Sequence, residues 1–236
     1  MRKLSKEKAL VLFSGGQDSA ISLAWALDRY RHVETIGFDY NQRHNVELGL
    51  RIKIRSEYAK NFPQYAERIG RDRIVRAKGI GDLASSAMTS EENIEFGEDG
   101  IPTTFLPGRN LMFMLLASSY AYDNDIGVII AGMCQVDYSG YPDCRAETLD
   151  TQMKAIQLGM ECDIELQTPL LNETKAESWR IAESLGGPLL VDLINEHSHS
   201  CYLGIRTTRH SWGYGCGECP ACELREKGWS EYQAGH

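Results

Sequence analysis

"LFSGGQDSAIS", residues 12–22, closes a short apolar run and opens a helical pattern, and its reading decides the fold. Ser14, Gly15 and Gly16 let backbone N–H groups close on an anion, and a helix starting at Asp18–Ser19 adds the positive end of its dipole. The loop has neither the lysine and hydroxyl pair of a Walker loop nor the three spaced glycines of the dinucleotide fingerprint. Asp18 stands instead where a cation is expected. A carboxylate beside a triphosphate is repelled unless a metal ion bridges the two, so Asp18 implies Mg²⁺.

The flanks support that reading. "KALVLF" (8–13) has the pattern of a short buried strand, and "DSAISLAWALDRY" (18–30) that of a helix; strand, glycine loop and helix open a βαβ unit. "HVETIGFDY" (32–40) reads as a second strand, followed by a helix with Val46, Leu50, Ile54 and Tyr58 four apart. Residues 82–100 carry six acids and read as a surface loop or lid. "RNLMFMLLASSYAYD" (109–123) is an apolar helix, "IGVIIAGM" (126–133) a fully buried strand, and 146–160 a further helix. "TKAE" (174–177) fits a capping box. Strands and helices alternate, so the fold class is α/β with a parallel sheet covered on both faces, its ligands bound beyond the strands' carboxyl ends.

Bulk properties narrow the function. The 236 residues suffice for one domain with a small appendage, divided here as 1–195 and 196–236. A net charge of −8 opposes broad nucleic-acid or membrane-surface binding. No stretch approaches the roughly 20 apolar residues of a membrane span. "MRKLSKEKALVLF" begins with basic residues as a leader does, but it runs straight into the glycine loop and reads as the first strand. Seven unevenly placed cysteines point to a cytoplasmic protein rather than a disulfide framework.

The last 36 residues change character, rich in glycine, cysteine and aromatics, with no long periodic segment. Cys201, Cys216, Cys219 and Cys222 form C-x14-C-x2-C-x2-C. Four thiolates at this spacing suit a closed tetrahedral zinc site, which is structural and supplies folding free energy. An iron–sulfur cluster is the rival, weakened by the missing x3-C-P continuation.

Ser-Gly-Gly-x-Asp-Ser after a strand resembles the PP-loop of the N-type ATP pyrophosphatases. Together with "FDYNQRH" (38–44), "LPGRN" (106–110), "DYSGYPDCR" (137–145), "TPLLNETKAE" (168–177) and the cysteine tail, it resembles the 7-cyano-7-deazaguanine synthases from about residue 8 to 229. The resemblance implies an adenine nucleotide alpha hydrolase-like domain with a zinc-binding appendage. It implies an ATP- and Mg²⁺-dependent ligase that turns 7-carboxy-7-deazaguanine and ammonia into the nitrile through an amide, as a homodimer without nucleic acid or membrane. Zinc is the family's metal.

On this resemblance, nucleotide binding falls to Leu12, Phe13, Ser14, Gly15, Gly16, Gln17, Asp18, Ser19, Ala20, Ile21 and Ser22, with Asp39 and Arg109. Catalysis falls to Ser14, Asp18, Ser19, Arg109 and Lys175, and substrate binding to Tyr138, Tyr141, Asp143 and Arg145, with Asp143 as the anchor for the guanine-like edge. The chain departs from the family at Asn41, which replaces a glycine but tolerates left-handed backbone, at "HSHSCY" (197–202), and at 206–212, an inserted loop placed beside the active site or a subunit contact. The role of His44 stays open. The alternatives are a relative that stops at the amide, one that modifies a tRNA base, and a zinc-knuckle nucleic-acid binder.

Overall fold

The computed structural model describes residues 1–42, 46–83, 86–90, 93–95, 101–136 and 141–235. The apolar run at the start becomes β1 (Lys8–Leu12), the centre of a five-stranded parallel sheet. It pairs on one side with β2 (His32–Asp39) and on the other with β4 (Val128–Ala131), so that Leu12 lies opposite both Ile36 and Ala131. β3 (Ile69–Arg76) and β5 (Glu165–Gln167) are the edges, giving the order β3-β2-β1-β4-β5. The direction of winding reverses between β1 and β4, where an open α/β sheet leaves its ligand crevice.

Alternate strand residues feed two cores. Ala9, Val11, Val33 and Ile130 pack with α1 (Gln17–Arg29), α2 (Val46–Asn61) and α7 (Lys175–His197). Leu10, Ile36 and Ile129 pack with α5 (Arg109–Asp123) and α6 (Ala146–Met160) on the opposite face. Cover on both faces is why β1 after Lys8, and β4 throughout, run apolar rather than alternating, while β2 buries Glu34 and Thr35 among its apolar residues. Short helices α3 (Pro63–Ala66) and α4 (Gly79–Leu83) flank β3. Among the described residues no helix is long and apolar enough to cross a membrane.

The capping box at Thr174 is present: Glu177 N–H donates to the threonine hydroxyl, and the Glu177 carboxylate accepts from the Thr174 N–H. Helix α7 then breaks at Gly186 and Gly187, the latter at φ 64°, just before Pro188.

The tail differs from its sequence reading. After a two-residue hairpin, β6 (Arg209–His210) with β7 (Gly213–Tyr214), it forms a 15-residue helix, α8 (Pro220–Ala234). Its buried positions are Cys222, Arg225, Gly228 and Tyr232, helically spaced but mixed in chemistry, so no apolar stripe is visible in the sequence. Trp229 of α8 meets Trp179 of α7 edge-on at 5.0 Å, seating the tail on the main body.

Candidate active site

The strand-to-helix turn after β1 is open and anchored from below. Gly15 sits at φ 98°, and a Cβ there would lie 2.7 Å from the Glu47 carbonyl oxygen. Ser19 Oγ accepts from the Gly15 N–H at 3.1 Å and donates to the Gly16 carbonyl at 3.0 Å, while Ser14 Oγ accepts from the Gly16 N–H at 3.1 Å. Gly16, the N-cap residue of α1, has no side chain to cap it; the Gln17 N–H donates to Ser200 Oγ at 3.3 Å, and the positive end of the α1 dipole faces the turn. Beneath the turn, the fully buried Arg51 donates to the Phe13 carbonyl and to Asp72, fixing the end of β1. Arg51 lies between Leu50 and Ile54, off the apolar stripe read in the sequence.

Asp18 points into the crevice, where its Oδ2 accepts from Lys175 Nζ at 2.7 Å. Its other oxygen, Oδ1, is buried and has no hydrogen-bond partner among the described residues. A carboxylate with one unused oxygen beside a phosphate-sized turn has the donor chemistry that Mg²⁺ requires. Lys175 is the first residue of α7, held there by the capping box.

These groups border a cavity of about 560 Å³, within the range of small-molecule sites. Leu12, Phe13, Ser14, Gly16, Gln17, Asp18 and Ser19 line it. Ala20, Ile21 and Ser22 face the core instead, where the helix turns them away from the crevice, and Asp39 pairs with Lys78 at 3.7 Å outside it. Asn41 holds φ 65°, the left-handed geometry expected of its glycine replacement.

The opposite wall is aromatic and cationic. Phe38 stacks on Phe113 at 4.1 Å, and the Arg109 guanidinium lies 5.8 Å from the Tyr40 ring and 5.5 Å from that of Tyr141. Burial opposes the Arg109 charge, but Tyr40, Tyr141 and Asp143 outweigh it and raise its pKa further. Arg109 Nε has no partner among the described residues. Tyr141 lines the cavity and its hydroxyl is 2.6 Å from Thr104 Oγ1.

The other substrate residues sit differently. Asp143 is buried behind the wall, its carboxylate accepting from Asn110 N–H at 3.2 Å and Asn110 Nδ2 at 2.9 Å. Arg145 is exposed at the start of α6 and does not border the cavity. Tyr138 and His44 lie outside the described residues. Of the stretch read as a lid, Ser86 and Ala87 are buried and Met88 lines the cavity; residues 84–85, 91–92 and 96–100 lie outside the described residues.

Among the cavity residues that the sequence reading did not single out are three that carry titratable groups beside the turn and the wall. Tyr40 and Glu47 come from either end of the stretch after β2, and Arg225 comes from α8. Burial pushes the Glu47 carboxyl up to about 8, against the opposing pull of Arg109. Burial lowers Arg225 to about 10, with Asp18 resisting.

Behind α8 the four cysteines converge, their sulfurs all within 4.8 Å of one another. Cys216 and Cys222 sulfurs are 3.8 Å apart, the separation that Zn–S bonds of about 2.3 Å impose across a tetrahedral edge. The amides of Glu218 and Cys219 donate to Cys216 Sγ at 3.4 and 3.2 Å, as a thiolate requires. These residues fit a closed zinc site. The 206–212 segment does not border the cavity: Arg206 donates to the Glu196 and Ser198 carbonyls and Arg209 pairs with Glu196, binding the tail to the end of α7. His210 stacks on Trp212 at 4.3 Å.

The family model described as queuosine biosynthesis protein QueC matches residues 8–233. A protein of Caulobacter sp. (strain K31) named 7-cyano-7-deazaguanine synthase is 52% identical over 228 residues, 97% of this chain and 91% of that one. The synthase of the same name from Hyphomonas neptunium is 54% identical over 227 residues, 96% and 95% of the two chains. Among solved structures, a 4-thiouridine synthetase–RNA complex with bound ATP superposes with a TM-score of 0.53 at 16% identity, covering 96% of this chain and 50% of that one. At that identity it shows the shared fold.

Proposed function

The chain belongs to the QueC family of queuosine biosynthesis, and on that premise we propose how its cavity carries out the family's reaction. The protein is an ATP-dependent ligase that converts 7-carboxy-7-deazaguanine and ammonia to 7-cyano-7-deazaguanine. A carboxylate resists ammonia until one oxygen becomes a leaving group. Its oxygen attacks the α-phosphorus of ATP, releasing pyrophosphate and leaving an acyl adenylate. Ammonia displaces AMP to give the amide and loses a proton. The amide oxygen then attacks the α-phosphorus of a second ATP, releasing a second pyrophosphate, and expulsion of AMP with loss of the two N–H protons leaves the nitrile.

The residues divide this work by position. The dipole and first-turn amides at the start of α1 hold the outer phosphates, with Ser14 and Ser19 shaping the turn by accepting from the Gly16 and Gly15 N–H groups. Asp18, through its unused oxygen, would hold Mg²⁺, and the ion would supply charge neutralisation for the phosphates. Lys175 and Arg109 offset the charge that develops on departing pyrophosphate and on the adenylate. The deazapurine lies against the Tyr40, Phe113 and Tyr141 wall. Asp143 acts from behind that wall by holding Asn110 and the start of α5.

Cys201, Cys216, Cys219 and Cys222 would hold zinc as a closed four-thiolate site, and the metal would tie α8 to the tail loop of the 196–236 appendage. Cysteines that form no disulfide fit a reducing, cytoplasmic setting. Leu111, Leu115 and Leu158, exposed on α5 and α6, support assembly as a homodimer.

The observation that carries the reading is the shared cavity, with the phosphate turn, the Asp18–Lys175 pair and the Arg109 aromatic wall facing one space. The test is mass spectrometry of zinc-loaded protein with 7-carboxy-7-deazaguanine, ATP, Mg²⁺ and ammonium. Nitrile, AMP and pyrophosphate are expected. Unchanged substrate rejects the reading, and amide as the end product rejects the second activation.

A further inference from the structure

Arg225 lies one helical turn beyond Cys222 in α8 and is 1% exposed, yet it borders the same cavity as Ser14, Asp18 and Lys175. Its Nε donates to the Trp212 carbonyl at 2.8 Å and its Nη2 to the Asn195 carbonyl at 3.4 Å. Its Nη1 is buried with no partner among the described residues. No carboxylate among them comes within ion-pairing distance, although the charge of Asp18 reaches it. Asp18 already accepts from Lys175.

Burying a guanidinium without a countercharge is costly, and an unfilled donor adds to the cost. Such a group is retained where an anion completes it, and guanidinium forks match phosphate oxygens. The cavity beside it is the one already assigned to a triphosphate. We infer that Arg225 is an anion-binding residue of the nucleotide pocket, its Nη1–H donating to a phosphate oxygen of the pyrophosphate portion of ATP. This rests on the reading of the 14–19 turn as a phosphate cradle.

Geometry then gives the cysteine site a second consequence. Cys219 caps α8 and Cys222 lies in its first turn, so the metal that gathers them sets where Arg225 stands. The zinc tail therefore delivers a phosphate ligand as well as holding itself folded.

The test is calorimetric titration of zinc-loaded wild type, Arg225→Gln and Arg225→Lys with inorganic pyrophosphate and Mg²⁺, each with its zinc content measured. Wild type is expected to bind; a wild type that does not bind overturns the phosphate-cradle reading itself. With zinc retained, Arg225→Gln is expected to weaken pyrophosphate roughly 10-fold or more, the loss of a charge-assisted hydrogen bond. Arg225→Lys keeps the charge without the fork and is expected to lose about 3-fold or more. Adenosine, which has no phosphate, is expected to bind all three alike. Pyrophosphate affinity within about 2-fold of wild type in a zinc-retaining Arg225→Gln overturns the inference. If that variant loses its zinc, wild-type affinity in Arg225→Lys overturns it instead.

Discussion

Lys175 Nζ lies 2.7 Å from Asp18 Oδ2, although 157 positions separate the two residues in the chain. The contact joins the first turn of α1 to the first residue of α7, so each helix start presents one charge to the crevice. Removing Lys175 takes the neighbouring cation from the Asp18 carboxylate, and removing Asp18 takes one carboxylate from Lys175, both in a largely buried place. Asp18→Asn and Lys175→Met are each expected to lower pyrophosphate release about 100-fold or more. Because they act as a unit, the double variant is expected to be no worse than the poorer single one. Additive losses would show that the two work independently.

Gly15→Ala tests the turn itself. A side chain is strained at φ 98°, and its Cβ would press on the Glu47 carbonyl. The expected cost is about 1–3 kcal/mol of stability, together with weaker ATP binding as the amides are displaced. Chemical denaturation and ATP titration measure the two effects, and zinc content is expected to stay at the wild-type level.

Chelation tests the cysteine site. Stripping zinc is expected to lower the unfolding temperature by roughly 10 °C or more, because the metal's binding free energy is folding free energy for the tail. Trp212, buried against Cys201, Cys219 and Cys222, is expected to become wet, shifting its fluorescence to the red. Cys216→Ser is expected to give the same shift without a chelator.

Glu47 gives a pH dependence with a definite sign. Burial lifts its carboxyl from 4.5 to about 8, so between those values the folded chain holds a proton that the unfolded chain has released. Folding stability is therefore full below the lower value and declines as pH rises toward the upper one. Glu47→Gln is expected to remove that decline. In thermal scans the variant is expected to be more stable than wild type near pH 8, with the difference closing at about pH 4.

What the sequence disclosed followed burial. β1, β4 and α5 carry unbroken apolar runs because both faces of the sheet are covered, and their limits were legible within a few residues. β3, with its Arg71, Asp72 and Arg73, is a largely exposed edge, and the three-residue β5 is too short to leave a pattern. Helix α8 hid because it buries an arginine and a glycine where a stripe would show leucine. In the site, Ser14 to Ser19 were visible as a motif because their neighbours in space are their neighbours in sequence. Glu47 and Arg225 were not, since they reach the cavity only after α2 and α8 have packed against elements far along the chain. In the sequence Asp143 reads as the anchor for the guanine-like edge, whereas its bonds to Asn110 follow from how residues 142–144 turn.

The break at Gly186–Gly187 divides α7 into two rods with separate duties. The leading rod aims Lys175 at Asp18, and the trailing one offers the Asn195 and Glu196 carbonyls to Arg225 and Arg206. A continuous 23-residue helix would fix both ends along one axis. With the joint in place, the seat of the tail can be re-angled while the lysine keeps its aim, so the two ends are free to diverge independently.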